Sequence, residues 1–198
     1  MKNYIFFLVL ILFGSSLSAQ TKERKGYLGI VIGPSFPISD FATNSFSTEY
    51  QGIPKLGYSD SFIDFGYLFG KNIGISASVA YTQYLIDNST SDLWWGIASI
   101  TAGPMFSLPL SEKFFIDIKA NAGIVFANFI IDEFLYSEFG RGIGIGIDLR
   151  ASLRYNIYRR WYIMAESGYL SSNQSFKDDS KRKIQNINLG FGIALSIK

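Results

Sequence analysis

Cysteine and histidine are both absent from the 198 residues. Their absence removes disulfide frameworks, thiol nucleophiles and cysteine-ligated metal sites. It also removes the Ser–His–Asp triad, a histidine general base and the paired-histidine zinc motif. Charge is scarce: Asp, Glu, Lys and Arg make up 17% of the chain, the net charge is +2, and no basic stripe appears. Nucleic acid is therefore excluded as a partner class. What the chain has in quantity is apolar, aromatic and small residues: 48% hydrophobic, 18 Phe, 12 Tyr and 19 Gly. That composition is too apolar for a disordered chain and too poor in charge for an ordinary soluble one.

The N-terminus reads as a leader. Lys2 supplies a positive start, residues 4–13 form one continuous apolar run, and residues 14–19 are small and polar. The run is too short to cross a membrane comfortably as a helix and has the layout of a secretory signal. Residues 1–19 are expected to be a cleaved signal peptide, with Gln20 the first mature residue. Residues 20–198 then form one domain, and the lack of cysteine excludes a lipoprotein anchor.

The mature part alternates apolar and polar residues in about eight stretches, joined alternately by long and very short connections. The long ones are expected at 38–56, 86–93, 130–141 and 172–183, the short ones near 70–72, 110–113 and 157–160. Strands of about ten residues with short turns at one end and long loops at the other predict an eight-stranded antiparallel up-and-down transmembrane β-barrel, an all-β fold.

The expected strands are 26–37, 58–69, 73–82, 94–108, 114–126, 143–154, 161–171 and 187–197. In the second, Ile63, Phe65 and Tyr67 share a face opposite Phe62, Asp64 and Gly66. The fourth is the least regular, and Pro104, which lacks a ladder donor, points to a bulge or strand end there. The fifth sets Phe114, Ile116, Ile118, Ile124 and Phe126 against Asp117, Lys119 and Asn121. The sixth sets Ile143, Ile145, Ile147, Leu149 and Leu153 against Gly144, Gly146, Asp148, Arg150 and Arg154. The last sets Ile187, Leu189, Phe191, Ile193 and Leu195 against Asn188, Gly190, Gly192 and Ala194.

Alternation alone does not say which face is wet, because a soluble lipocalin-like barrel alternates with its apolar side chains inside. Two features favour the membrane arrangement. The polar faces are mostly Gly, Ala, Ser and Asn with a few charges of mixed sign, which suits a narrow lumen. Aromatics gather near strand ends, at Tyr27, Phe36, Tyr81, Trp94, Trp95, Phe114, Phe126, Tyr155, Trp161 and Tyr169, where interfacial girdles lie. The predicted lumen charges are Asp64, Asp117, Lys119, Asp148, Arg150, Arg154 and Glu166, four acids against three bases. A salt-bridged plug is the expected arrangement, since an unpaired charge away from water costs several kcal/mol. A proton or small-solute path through these charges is the alternative.

Other motifs yield to plainer readings. The run Gly140-Arg-Gly-Ile-Gly-Ile-Gly146 has the wrong spacing for a dinucleotide loop, and a small lumen face explains it better. Asn88-Ser-Thr90 matches a glycosylation sequon, which matters only in a compartment with the transferase and in a bacterial reading is chance. The third loop is acidic (Asp132, Glu133, Glu138) and the fourth mostly basic (Lys177, Lys181, Arg182, Lys183); solvated loop charge is the default, and a contact between these two loops, or with lipopolysaccharide phosphates, is the alternative. Phe41, Phe46 and Tyr50 in the first loop suit contact with a partner.

The order Ser18-Ala19-Gln20, then Tyr27-Leu-Gly-Ile-Val-Ile-Gly-Pro-Ser-Phe36, then glycine-punctuated strands resembles the PorT-like outer-membrane β-barrel family of Bacteroidota. The resemblance spans residues 26–198 and implies an outer-membrane location in a Gram-negative bacterium. Some members of that family act in secretion and gliding; it supplies no catalytic residues. Outer-membrane barrels often end in an aromatic residue read by the assembly machinery, whereas this chain ends Ile197-Lys198, with Phe191 the nearest upstream aromatic. The expected role is non-enzymatic, structural or accessory, with contacts made through the long loops. The known barrel proteases and lipid-modifying enzymes rely on an active-site histidine, which is missing here. Expected partners are outer-membrane lipid and lipopolysaccharide, the barrel assembly machinery during insertion, and a protein at the loops. No cofactor or metal is expected.

Overall fold

The computed structural model describes residues 25–42, 54–86, 92–132, 139–176 and 181–197. The expected leader, Phe46, Tyr50, the Asn88 sequon, Glu133, Glu138 and Lys177 lie outside these residues. Eight strands follow one another: β1 Gly26–Pro37, β2 Pro54–Leu68, β3 Ile73–Ile86, β4 Asp92–Pro109, β5 Phe114–Asp132, β6 Phe139–Tyr158, β7 Trp161–Phe176 and β8 Lys181–Ile197. Each pairs antiparallel with the next, and β8 returns to β1, closing the barrel. Closure leaves no row of unpaired backbone groups, a requirement where no water is present to satisfy them.

The burial pattern decides which face is wet. The aliphatic ladders point outward: Ile145 is 77% exposed and Phe191 74%, with Leu28, Ile30, Ile32, Ile118, Ile124, Ile147 and Ile193 also exposed. Ser35, Ser61, Ser76, Ser78, Thr101, Asn121 and Asn186 are buried inside. Polar inside and apolar outside is the pattern of a barrel dissolved in lipid.

The strands run further than the hydrophobic pattern indicates. β5 and β6 stay paired to Ile130↔Phe139, and β7 and β8 to Ser175↔Lys181. Among the described residues, much of the chain expected as long loops at 130–141 and 172–183 is therefore paired strand, as are Ile86, Asp92 and Leu93 at the margins of 86–93. A ladder is held by backbone hydrogen bonds and does not need an apolar face once it has left the lipid. Segments such as Ser171–Ser175 read as loop by composition and fold as strand.

Two local expectations are corrected. Phe62 was expected on the same face as Asp64, but the register shifts between Ser61 and Ile63, so Phe62 and Ile63 both face outward. The extra residue of a bulge breaks the period-two count. Pro104 is neither a bulge nor a strand end. Its pairing with β3 continues through Ile75↔Pro104, and the register with β5 is unchanged on either side, at Ala102↔Ala122 and Met105↔Lys119.

The barrel's stagger follows from the pairing. The row Leu28–Phe65–Ala77–Ala102–Ala122–Ile147–Ser171–Gln185 circles the wall. It returns to β1 at Ile38, whose N–H donates to the Gln185 carbonyl, ten residues above Leu28. Rows therefore climb from β1 toward β8, with the strands tilted by about 40°.

Candidate functional site

The inner face of the barrel carries all seven of the charges expected in the lumen. Alternation fixes their direction: on β5, Asp117 and Lys119 share parity with Asn121 and Val125, and on β6, Asp148, Arg150 and Arg154 share parity with Ser152. All of these are buried. Asp64 projects inward from β2 and Glu166 from β7, its side chain 6% exposed.

The structure joins five of the seven into one chain of ion pairs. Lys119 Nζ donates to both Asp64 oxygens at 2.7 and 2.9 Å and to Glu166 Oε2 at 2.8 Å. Arg150 takes the other Glu166 oxygen through Nη1 at 3.0 Å and Asp148 Oδ2 through Nε at 2.8 Å. Thr101 Oγ1 donates to the same Asp148 oxygen at 3.1 Å. The remaining two form a separate pair: Arg154 clasps Asp117 through Nε and, at 2.9 Å, through Nη2. That two-point geometry is the strong form of a guanidinium–carboxylate bond.

Apolar layers close the lumen on both sides of the charges. Toward the short turns, Tyr27, Val31, Met105, Tyr162, Met164 and Ala194 pack together. Arg154 lies over the Tyr27 ring at 4.1 Å and over Phe115 and Tyr162 at 5.2 Å. A cation against aromatic faces keeps part of the stabilisation that water would have given. A Cβ on Gly66 would sit 2.5 Å from the Tyr27 ring, so only glycine leaves room for this layer.

Toward the long connections, Phe41, Tyr84, Trp95, Ile97, Val125, Leu170 and Ile184 form the second layer. Phe41 belongs to a single 3-10 turn, Ser39–Ala42, that folds into the barrel mouth after Ser39 takes a φ of 53°. Its ring meets Tyr84 at 5.3 Å and Trp95 at 5.9 Å, both edge-on. Phe41 is thus a plug residue, and not the exposed contact expected of that loop. Arg182 is likewise drawn over the rings of Trp95 and Phe176 at 5.5 and 5.6 Å, whereas Lys181 and Lys183 remain exposed.

Beneath this layer, Tyr84 Oη bonds Ser35 Oγ and accepts from Asn186 Nδ2. Beside the ion pairs, Ser59, Ser61, Arg150, Glu166 and Asn188 line a cavity of about 20 Å³. That is room for about one water and no larger solute. Among the described residues no group of three carboxylates is placed to hold a metal.

The aromatics that close the lumen were assigned to interfacial girdles or not singled out. Tyr27 and Trp95, expected at the interface, are 1% and 2% exposed inside the barrel. The available signal was parity. Tyr27 alternates with Gly29, Val31 and Ser35, Tyr84 with Ser78 and Thr82, and Tyr162 with Glu166. Phe36, Phe114, Phe126 and Trp161 do face outward.

Comparison with known proteins places this geometry. The model of a family described as outer membrane protein beta-barrel domain matches residues 5–194. Among solved structures, neisserial surface protein A is 14% identical, with 87% of this chain and 97% of that one covered and a TM-score of 0.59. The attachment invasion locus protein Ail of Yersinia pestis is 22% identical, with 86% and 99% covered and a TM-score of 0.51. No curated protein matches.

Proposed function

This chain belongs to the outer membrane protein β-barrel domain family, and from that premise we propose that it is a closed barrel whose work is done at its extracellular end and not through its lumen. Its location is the outer membrane of a Gram-negative bacterium. The observation that carries the reading is the layered interior, with ion pairs held between two apolar layers and a cavity no larger than about one water. A permeant ion would have to break the Lys119–Asp64 and Arg150–Glu166 contacts and displace packed aromatics. In this reading the role is non-enzymatic: the chain offers no histidine, and the cavity beside the ion pairs holds about one water.

In this reading the short turns face the periplasm and the four longer connections face outward, as in other barrels of this kind. Residues 1–19 direct export and are removed. The barrel assembly machinery inserts the mature chain, and a protein partner is met at the outer connections. The PorT-like resemblance adds secretion as the process to test first.

The experiment is single-channel recording on the purified, refolded protein in planar bilayers, with heat-dependent gel mobility as the control for folding. We expect a folded, heat-modifiable barrel and no conductance steps. Regular steps would support the transport reading, in which the charged layer is a path and not a plug.

A further inference from the structure

The outer wall is largely apolar, with a polar patch at Asp60 and Gln83 on β2 and β3 and a second where β7 and β8 approach the long-connection end. There the outward residues become Asn173, Ser175, Lys181 and Lys183, all exposed. They stand in two pairing rows with the isoleucines of β6: Ile145–Asn173–Lys183 and Ile143–Ser175–Lys181. Ile145 is 77% and Ile143 55% exposed, so aliphatic and cationic side chains lie side by side on one continuous surface.

The stagger sets their heights. Rows climb by about 3 Å per strand at a tilt of about 40°, so Lys181, two strands on from Ile143, comes about level with Arg141, the next outward residue of β6. Arg141, Lys181 and Lys183 thus form a cationic arc at the upper edge of the apolar belt. Neither row carries a carboxylate; the exposed Asp40 lies on the 3-10 turn that packs against the end of β8, and Asp178 and Asp179 lie outside the described residues.

We propose that this arc is a binding site for a phosphorylated glycolipid of the outer leaflet, of the bisphosphorylated lipid A type. Its phosphates sit on Lys181, Lys183 and Arg141, and its acyl chains run down Ile143, Ile145 and Ile147. Asn173 and Ser175 offer hydrogen bonds to the sugar between them. Charge and position both select this occupant. A free anion would gain nothing from the isoleucine ladder, and an uncharged lipid nothing from the lysines. Each cation beside an anionic lipid surface is worth about fivefold in affinity, and the effect fades within a Debye length. The site rests on the outward orientation of the long connections and is independent of whether the lumen conducts.

The test uses the full mature protein refolded in detergent, with native mass spectrometry counting bound lipid. Bisphosphoryl lipid A, the same lipid with both phosphates removed, phosphatidylglycerol and inorganic phosphate are each added. The wild type should retain bisphosphoryl lipid A in preference to the other three. The Lys181→Gln/Lys183→Gln variant should bind it about thirtyfold more weakly. Lys71→Gln/Lys113→Gln, at the opposite rim, should bind as the wild type does. Equal binding of the dephosphorylated lipid, or no effect of the Lys181/Lys183 change, would overturn the site. Competition by inorganic phosphate or phosphatidylglycerol would show a general anion patch and overturn the glycolipid assignment. Heat-dependent gel mobility of each sample separates loss of the site from loss of the barrel.

Discussion

Lys119 is the residue on which the lumen turns. Its ammonium is the common donor to Asp64 and Glu166, and both its side chain and that of Asp64 are fully buried. Removing a buried cation costs more than the ion pair itself contributes, because the carboxylate left behind has lost both partner and water. Lys119→Met should therefore lower stability by about 3–5 kcal/mol, read as an earlier midpoint in urea unfolding from lipid vesicles. Glu166 keeps Arg150 at 3.0 Å, so Asp64 is the group stranded. Adding Asp64→Leu to Lys119→Met should recover most of the loss. A double variant no more stable than the single one would show that the pair is not the source of the effect.

Among the elements, the 3-10 turn Ser39–Ala42 has an influence out of proportion to its length. It packs against the end of β8, beyond the last residue of β1, where the β8 backbone would otherwise be an open edge. Covering an edge in this way removes a template for unwanted pairing. Its Phe41 also fills the barrel mouth. Phe41→Ala removes a buried ring and leaves a cavity between Tyr84 and Trp95, at a cost of about 3–5 kcal/mol. Acrylamide quenching of tryptophan fluorescence should rise, because Trp95 loses its cover. The charged layer and the Tyr27 layer remain, so bilayer recordings on Phe41→Ala should still show no steps. Unchanged quenching together with unchanged stability would mean that the turn does not seal the mouth in solution.

At the scale of the whole molecule, the inverted distribution of polarity makes stability depend on depth. Leu149 lies in the middle of the exposed β6 ladder, between Ile143 and Tyr155, whereas Asn173 lies at the polar end of β7. Leu149→Arg should cost about 2–4 kcal/mol and Asn173→Arg about 0–1 kcal/mol, because the penalty for a lipid-facing cation falls toward the interface. Unfolding titrations of the two variants in the same vesicles make the comparison. Equal penalties would place the apolar belt elsewhere on the wall.

The sequence by itself determined the strand number, the antiparallel meander and the faces of most strands. Side chains in a strand alternate sides with a period of two, and the composition of the two faces differs sharply here. On β5, Ile116, Ile118 and Ile124 stand against Asp117, Lys119 and Asn121, and this period alone told which charges would share the inner face. Tertiary structure decided what local pattern does not encode. Strand ends beyond the lipid are held by backbone pairing, so Ser171–Ser175 and Lys181–Lys183 became strand without an apolar face to announce them. The bulge at Ser61–Ile63 turned Phe62 outward through the register of its neighbours. Which cation meets which carboxylate depended on the stagger of the wall. Phe41, Tyr27 and Trp95 are interior because closing the ring leaves space that only large side chains from opposite walls can fill.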